Sequence, residues 1–374
     1  MKKITLYYAT NRNHIGNDRW KPKGYGKNFS ADRSDNLRFG KVELSIDDNK
    51  VEKYLKAKKN GRHGDGEGLS EYLIKHAKSK AKISAFKDVT TTGHDSAKTE
   101  QLASTRSFQQ IKKLMDKKQD VLINIHGFNV SWWEAVGSAM ALELMLNRQP
   151  ENDNISVFLF TWPSNGKMLK GKAYSSDRKD AKDSGLAVAR GFLKLRDFLM
   201  TLRAKTSNPD LKECGQQLHL LCHSMGNYVL QNTLLGLQQE IHSPALPRLF
   251  KNIFMCAPDV ADSVFEIDQP MRNTHELCQS LNIYYNNGDM AMYISDYTKG
   301  NSDRLGHAGA ARPNQLHNKI RQINCSKIVG GMVEHSYYLW ATVNDDIRQT
   351  IDNLDELDDS RKRKLTSNNT SVLL

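Results

Sequence analysis

A serine that could act as a nucleophile lies in the stretch 218–228, LHLLCHSMGNY. An apolar strand pattern ends there at small residues, and a helical pattern begins immediately after Ser224. A serine at the apex of such a strand–turn–helix is held clear of both elements, beside a backbone N–H at a helix N-terminus. The pattern therefore predicts a nucleophile elbow. Gly226 fits this motif, whereas Cys222 stands where glycine is common. The alternative is an ordinary helix cap, a position that serine favours.

Candidates for the acid and the base of the same chemistry follow later strands. Asp259 and Asp289 come after apolar, β-branched runs at 252–257 and 281–285. His335 is the candidate general base, because imidazole gains and loses protons near neutral pH. Either aspartate could orient this imidazole. Taken singly, each aspartate also fits a turn former, and the histidine fits a residue that caps or packs a helix.

A second stretch could stabilise the negative charge that develops during acyl transfer. His126, Gly127 and Phe128 follow the short apolar strand predicted at 121–125. Glycine lets the backbone approach a ligand closely, so the next N–H, that of Phe128, can point at an oxyanion. The N–H of Met225, directly after the serine, is the second candidate donor. In isolation, the His-Gly pair could simply end a strand.

The elements that must position these residues alternate between strand and helix. Apolar runs at 121–125, 155–162 and 218–223 are separated by helical patterns such as 132–147 and 186–205. Such alternation predicts an α/β fold, a mostly parallel doubly wound sheet with helices on both faces. The carboxyl ends of parallel strands meet at one edge of the sheet, so all the candidate residues are expected there.

Composition sets the class of protein and its expected surroundings. The 374 residues are 39% hydrophobic and 26% charged, which is ordinary for a globular protein. No apolar run approaches the length of a membrane span or a signal peptide, so we expect a cytoplasmic protein. The net charge of +12 suits peripheral contact with an anionic membrane surface, and nucleic acid is a less favoured partner. Oligomeric state is not indicated.

No metal or organic cofactor is expected. The five cysteines are scattered without a C-x-x-C pair.

The predicted organisation has three parts. Residues 1–120 hold the N-terminal strands and a lysine-rich loop and helical insertion within the same fold. No motif in the lysine-rich segment 51–98 indicates its role. Residues 121–345 form the core, and residues 346–374 contain the end of the last helix and a tail. The charged run at 361–364 predicts that this tail is disordered.

Taken together, the motifs resemble those of bacterial α/β-hydrolases whose biological function has not been assigned. The matching segments, in chain order, are Tyr8–Arg12, Arg33–Gly40, His126–Val130, Thr161–Ser164, His223–Asn227, Ala257–Val260, Asp289–Ala291, Arg304–Gly306 and His335–Tyr338. The resemblance implies the α/β-hydrolase fold and a triad in the order Ser224, Asp289, His335, with the acid after the penultimate strand. Asp259 is the alternative acid. The sequence departs from the family at Cys222 and in the lysine-rich segment.

These features predict a serine hydrolase that cleaves a carboxylic ester of a small molecule or a lipid through an acyl-enzyme. A thioester or an amide is the less favoured substrate. Aromatic clusters at 132–133, 162 and 337–340 could form an apolar acyl site or simply belong to the core. The polar segment 167–184 could be a lid, a substrate wall or an inert loop. The alternative function is a catalytically weak or inactive scaffold that binds nucleic acid or a protein partner through its basic surface.

Overall fold

One large sheet passes through the molecule, with helices on both of its faces. The structure is a computed structural model that describes residues 1–59, 62–87, 102–117, 120–149, 154–164, 172–205, 216–242, 245–292, 303–330, 334–366 and 369–374. Its strands are β1 (Lys2–Thr10), β2 (Arg12–Ile15), β3 (Gly24–Phe29), β4 (Arg38–Ile46), β5 (Lys58–Lys59), β6 (Arg62–His63), β7 (Lys82–Ala85), β8 (Asp120–Ile125), β9 (Ile155–Thr161), β10 (Leu218–His223), β11 (Phe250–Cys256), β12 (Cys278–Tyr285), β13 (Ile320–Asn324), β14 (Arg363–Leu365) and β15 (Thr370–Leu373). Its helices are α1 (Asp48–Leu55), α2 (Gly66–Lys80), α3 (Ala103–Asp116), α4 (Trp132–Leu146), α5 (Lys172–Lys205), α6 (Gly226–Ile241), α7 (Leu305–Ala308) and α8 (Ala341–Ile351).

Eleven of these strands form the sheet in the order β14-β15-β13-β12-β11-β10-β8-β9-β1-β4-β7. All neighbours from β15 to β1 pair in parallel. The outer pairs β1–β4, β4–β7 and β14–β15 are antiparallel. The mostly parallel sheet that the strand–helix alternation predicts is thus confirmed, with antiparallel strands added at both sides.

The register aligns the carboxyl ends of the central strands. Cys222 of β10 lies opposite Ile125 of β8, and the next residue of β10 lies opposite Cys256, the last residue of β11. Cys256 in turn lies opposite Tyr284 of β12. The loops that follow β8, β10, β11 and β12 therefore leave the sheet side by side. This edge carries the predicted site residues.

The two faces of the sheet bury separate hydrophobic cores. Along β10, Leu220 and Cys222 pack on the face covered by α3, α5 and α6, while Leu221 packs on the face covered by α2, α4 and α8. This alternation follows from the period of two in a strand, and burial of both faces explains the nearly continuous apolar composition of the central strands. Helices on both faces confirm the doubly wound arrangement.

The lysine-rich segment contributes two capped helices in its described part. Asp47 accepts a hydrogen bond from a backbone N–H of the first turn of α1, and Asp65 does the same for α2. Leu69 and Leu73 of α2 are fully buried in the core beside α4, while the lysines face outward. Residues 88–98 of the segment lie outside the described residues.

The described residues of the tail are ordered, contrary to the prediction: β15 pairs with β13, and β14 pairs with β15. The reason is a buried carboxylate. Arg363 donates two hydrogen bonds to Asp346 of α8, at 2.5 and 2.6 Å, and Arg361 donates a third at 3.2 Å. The intervening lysines, Lys362 and Lys364, are exposed. The side chains of the charged run therefore point alternately to the buried Asp346 and to solvent. The composition of the run alone does not show this alternation.

Helix α5 begins fourteen residues before the start predicted at Leu186, at Lys172. Much of the polar segment 167–184 is therefore helix, while residues 165–171 lie outside the described residues. Among the described helices, none combines the length and apolar character needed to cross a membrane.

Candidate active site

Ser224 occupies a tight turn between β10 and α6. Its φ of 52° lies in the left-handed region, which is uncommon for a residue with a side chain and concentrates at functional turns. The Ser224 backbone N–H donates to the Cys256 carbonyl of β11 at 2.9 Å, and the Asp259 N–H donates to the Ser224 carbonyl at 3.2 Å. The neighbouring strand end thus holds the turn from both sides.

Two glycines allow this turn to pack against the end of β8. A Cβ at Gly226 would lie 2.5 and 2.8 Å from the carbonyl oxygens of Ile125 and His126. A Cβ at Gly127 would lie 2.7 Å from the Ser224 Cβ. Real Cβ atoms do not approach that closely, so larger residues would push the loop after β8 away from the serine. The small residue at 226 is needed because of the neighbouring strand, a reason that the local sequence does not contain.

Cys222, the departure from the common motif, is a core residue of β10. It is completely buried, and burial raises the pKa of its thiol. A neutral buried thiol packs like a small apolar side chain and does not act as a nucleophile.

His335 and Asp289 form the closest acid–base pair of the candidate set. The His335 Nδ1 lies 2.7 Å from the Asp289 Oδ2. The other carboxylate oxygen accepts hydrogen bonds from the backbone N–H groups of Ala291, at 3.0 Å, and Met292, at 3.3 Å. Asp289 is fully buried and the His335 side chain is about 20% exposed. A carboxylate fixed in this way holds Nδ1–H and leaves Nε2 available to accept a proton.

His223 links this pair to the nucleophile elbow. Its Nε2–H donates to the His335 carbonyl at 3.1 Å, and the two rings lie 4.8 Å apart. Burial, and to a lesser extent the neighbouring His335, lowers the pKa of His223 to about 3, so it is neutral near pH 7. The residue directly before Ser224 therefore holds the backbone that carries the candidate base.

Asp259, the alternative acid, has different partners. The Tyr174 hydroxyl donates to its Oδ2 at 2.6 Å. The Arg178 and Arg304 guanidinium groups lie 3.8 and 3.5 Å from its two carboxylate oxygens. The structure thus places Asp289, and not Asp259, against the imidazole of His335.

Of the two candidate oxyanion donors, Met225 follows Ser224 directly, and Phe128 follows Gly127, which packs against the Ser224 side chain. Among the hydrogen bonds between described residues, none uses the backbone N–H of Phe128 or of Met225. Asn129, with a φ of 57°, turns the loop after Phe128, and its N–H donates to Asp177 at 3.2 Å. Ser164 donates to the same carboxylate at 2.5 Å. The loop after β8 is therefore held by side chains from the loop after β9 and from α5.

The first turns of α5 border this loop. The Tyr174 ring packs edge-to-face on the Phe128 ring at 5.6 Å. One turn later, the Arg178 guanidinium lies over the Tyr228 ring at 3.6 Å. The described part of the predicted lid or wall segment thus lies beside the candidate oxyanion loop.

The aromatic clusters that could have formed an apolar acyl site belong mainly to the core. Trp132, Trp162, Tyr337 and Tyr338 are at most 5% exposed. Trp162 instead stacks on the His126 ring at 5.3 Å. Across the described ranges, no three His, Cys, Asp or Glu side chains cluster as ligands of a metal ion.

Sequence reasoning missed several residues that support the site. From the sequence, Arg12, His223 and Asp177 have no predicted role, and His126 is considered only as part of the His-Gly turn after a strand. Arg12 and the two histidines lie in the motifs that carry the family resemblance, which was the available signal. Asp177 had none, because it lies in a segment predicted to be irregular.

The fold is a doubly wound sheet that carries the elbow serine Ser224 and the pair of Asp289 and His335 at its carboxyl edge. This combination is that of an α/β-hydrolase. Comparison with known proteins agrees: residues 101–343 match the model of a family described as alpha/beta hydrolases of unknown function (DUF900), and the chain belongs to that family. An uncharacterised protein from Nostoc sp. (strain PCC 7120) is 29% identical over an alignment of 144 residues, with 33% of each chain covered. The chain therefore spans about a third of that relative's length. A solved structure of a lipase-esterase related protein from Clostridium acetobutylicum ATCC 824 is similar over 64% of this chain and 96% of its own, with 12% identity and a TM-score of 0.23.

Proposed function

We propose that this protein is a serine hydrolase that cleaves carboxylic esters through an acyl-enzyme intermediate. The observation that carries the proposal is the 2.7 Å contact between His335 and a buried, doubly bonded Asp289 at the sheet edge that also holds the Ser224 elbow. Such a pair orients an imidazole to take the proton of a serine hydroxyl.

In the proposed reaction, His335 Nε2 accepts the Ser224 proton as Oγ attacks the ester carbonyl carbon. The carbonyl oxygen becomes an oxyanion, which the N–H groups of Phe128 and Met225 stabilise by on the order of 3 kcal/mol each. The intermediate collapses as the imidazolium returns its proton to the departing alcohol, leaving an acyl-enzyme. A water molecule, deprotonated by His335, then attacks the acyl carbon. The bond from this carbon to Ser224 Oγ breaks as the imidazolium returns the proton to Oγ, and the acid is released.

The substrate class that fits best is an ester with a short or medium acyl group. The described part of the site is bordered by three aromatic side chains and one arginine, namely Phe128, Tyr174, Tyr228 and Arg178. Such a compact aromatic and basic surface suits a short acyl group better than a long aliphatic chain. The net charge of +12 also supports a substrate at an anionic lipid surface. We place the protein in the cytoplasm in this proposal.

A fluorophosphonate probe tests the proposed nucleophile. We expect covalent labelling of the wild type and none of Ser224→Ala, with p-nitrophenyl acetate hydrolysis lowered by at least about 10³-fold in the variant. Ser79→Ala is the matched control, because the Ser79 hydroxyl is exposed in the last turns of α2 and bonds the Lys75 and His76 carbonyls of the same helix. Labelling of folded Ser224→Ala equal to that of the wild type would contradict the proposal. A series of p-nitrophenyl esters from acetate to palmitate, with and without anionic vesicles, then measures the preferred acyl length.

A further inference from the structure

A buried guanidinium group lies beneath the candidate oxyanion loop. Arg12, the first residue of β2, is 1% exposed. Its Nη2 donates to the Val130 carbonyl at 2.7 Å, its Nε donates to the Thr161 hydroxyl at 2.9 Å, and its Nη1 donates to the Gly26 carbonyl at 3.1 Å. A cation buried this deeply is costly unless its donors are satisfied, so these contacts fix the group in place.

The same guanidinium determines how His126 is protonated. Arg12 Nη2 lies 3.3 Å from His126 Nε2, and an arginine nitrogen can only donate. The Trp162 backbone N–H also donates to this Nε2, at 3.3 Å. The Thr161 hydroxyl, which accepts from Arg12, lies 2.9 Å from Nε2 and can donate to it. Three donors around one ring nitrogen require that this nitrogen carries no proton.

The proton of His126 is therefore on Nδ1, which donates to the Gly127 carbonyl at 2.9 Å. Burial and the charge of Arg12 both lower the pKa of His126 well below its usual value, so the ring is neutral. Burial also lowers the pKa of Arg12 to about 9, which leaves the guanidinium charged at neutral pH. A cation beside the ring thus excludes both imidazolium and the other neutral tautomer.

The direction of the Gly127 carbonyl sets the direction of the next N–H. In a planar trans peptide, the C=O and N–H bonds point in opposite directions. With its carbonyl held by His126, the Gly127–Phe128 peptide presents its N–H on the opposite side. The same peptide adjoins the serine, since an added Cβ at Gly127 would lie 2.7 Å from the Ser224 Cβ. If the peptide flipped, it would present a carbonyl where an oxyanion must bind.

We propose that Arg12 is a positioning residue for the oxyanion hole, acting through the tautomer of His126 on the orientation of the Phe128 N–H. The inference rests on the proposed serine-hydrolase function and deepens it. It assigns a catalytic consequence to the first residue of β2, more than a hundred positions before the loop it orients.

Paired variants separate positioning from packing. Arg12→Met keeps the approximate volume and removes every donor, whereas Arg12→Lys keeps the charge. His126→Phe keeps a ring to stack on Trp162 but has no Nδ1–H, whereas His126→Asn places an amide N–H near the Nδ1 position. The control is Arg348→Met, which removes a buried arginine of α8 that bonds Leu146 and Asn154, away from the loop.

We expect Arg12→Met and His126→Phe to lower kcat for p-nitrophenyl acetate about 10²-fold with little change in KM, as for loss of one oxyanion donor. His126→Asn should recover kcat to within about tenfold of wild type, and Arg348→Met should lower Tm without changing kcat. Nitrogen-15 shifts of the His126 ring should report the Nδ1–H tautomer in the wild type and a tautomer mixture in Arg12→Met.

The outcomes distinguish the two proposals. A wild type that neither reacts with fluorophosphonate nor hydrolyses the ester overturns the proposed function and this inference together. An active wild type with Arg12→Met within threefold of its kcat overturns only the inference, as does equal loss in His126→Phe and His126→Asn. If Arg12→Met does not fold, the two His126 variants decide by the same criteria.

Discussion

Two neighbouring loops at the same sheet edge each present one buried aspartate, and the two carboxylates have different partners. Asp289, in the loop after β12, contacts the His335 imidazole at 2.7 Å. Asp259, in the loop after β11, accepts a hydrogen bond from Tyr174 at 2.6 Å and faces two arginine side chains. Both aspartates are at most 1% exposed, so burial does not distinguish them.

The difference shows that position at a strand end does not assign a role. A carboxylate between guanidinium groups is held as a structural anion, because its charge neutralises theirs. A carboxylate against an imidazole selects a tautomer and stabilises the imidazolium that forms during proton transfer. The arginines and the imidazole come from other elements, so the tertiary fold decides which carboxylate contacts which partner.

The largest expected effect is on the His335 side of this comparison. Asp289→Asn replaces the acceptor of Nδ1–H with a group that can donate, so the imidazole takes the wrong tautomer. We expect kcat for p-nitrophenyl acetate to fall about 10³- to 10⁴-fold, with a small change in KM. Steady-state kinetics on folded protein measures this. A loss of kcat below tenfold would contradict the role of Asp289, and Asp259 would again be the candidate acid.

A stability effect is expected on the arginine side. Asp259→Asn keeps an acceptor for Tyr174 but removes the charge that Arg178 and Arg304 face. We expect the free energy of unfolding to fall by on the order of 3 kcal/mol, while kcat changes less than about fivefold. Urea unfolding and ester hydrolysis on the same preparation test both parts. A kcat loss larger than that of Asp289→Asn would reverse the assignment.

The smallest expected effect concerns the pH dependence of stability and the residue His223, which donates a hydrogen bond to the His335 carbonyl. The folded pKa of His223 is lowered to about 3, whereas an unfolded histidine titrates near 6.5. Between these values the unfolded chain binds a proton that the folded chain does not, so stability rises with pH there. The contribution is fully present above about pH 6.5 and is lost as pH falls toward 3.

For this group, we expect the free energy of unfolding to fall by about 1.4 kcal/mol per pH unit on acidification below 6. His223→Gln keeps an N–H for the His335 carbonyl and does not titrate, so its slope should be shallower than that of the wild type. His14→Gln, at an exposed position of β2, is the control and should keep the wild-type slope. Equal slopes in all three proteins would contradict the neutral state of His223.

Much of the fold could be predicted because its central strands are buried on both faces. Runs such as 121–125 and 218–223 are continuously apolar for that reason, and a helix follows each of them. The start of α5 was not predictable, because its first turns carry Asp177 and Arg178, polar residues that serve the site and interrupt the apolar pattern. The tail was misjudged because Arg361 and Arg363 require a partner on α8 to be buried.

Within the candidate site, the chain by itself determined which residue types follow which strands. Local pattern and chain order suffice to predict the sharp turn at Ser224, the turn at Gly127 and the order of the candidate serine, aspartate and histidine. Only the tertiary structure brought His335 to Asp289 rather than to Asp259 and placed Arg12 beneath the candidate oxyanion loop. Both decisions depend on contacts between residues tens to more than a hundred positions apart, and the hydrogen bonds that assign charge and tautomer exist only when the sheet has assembled.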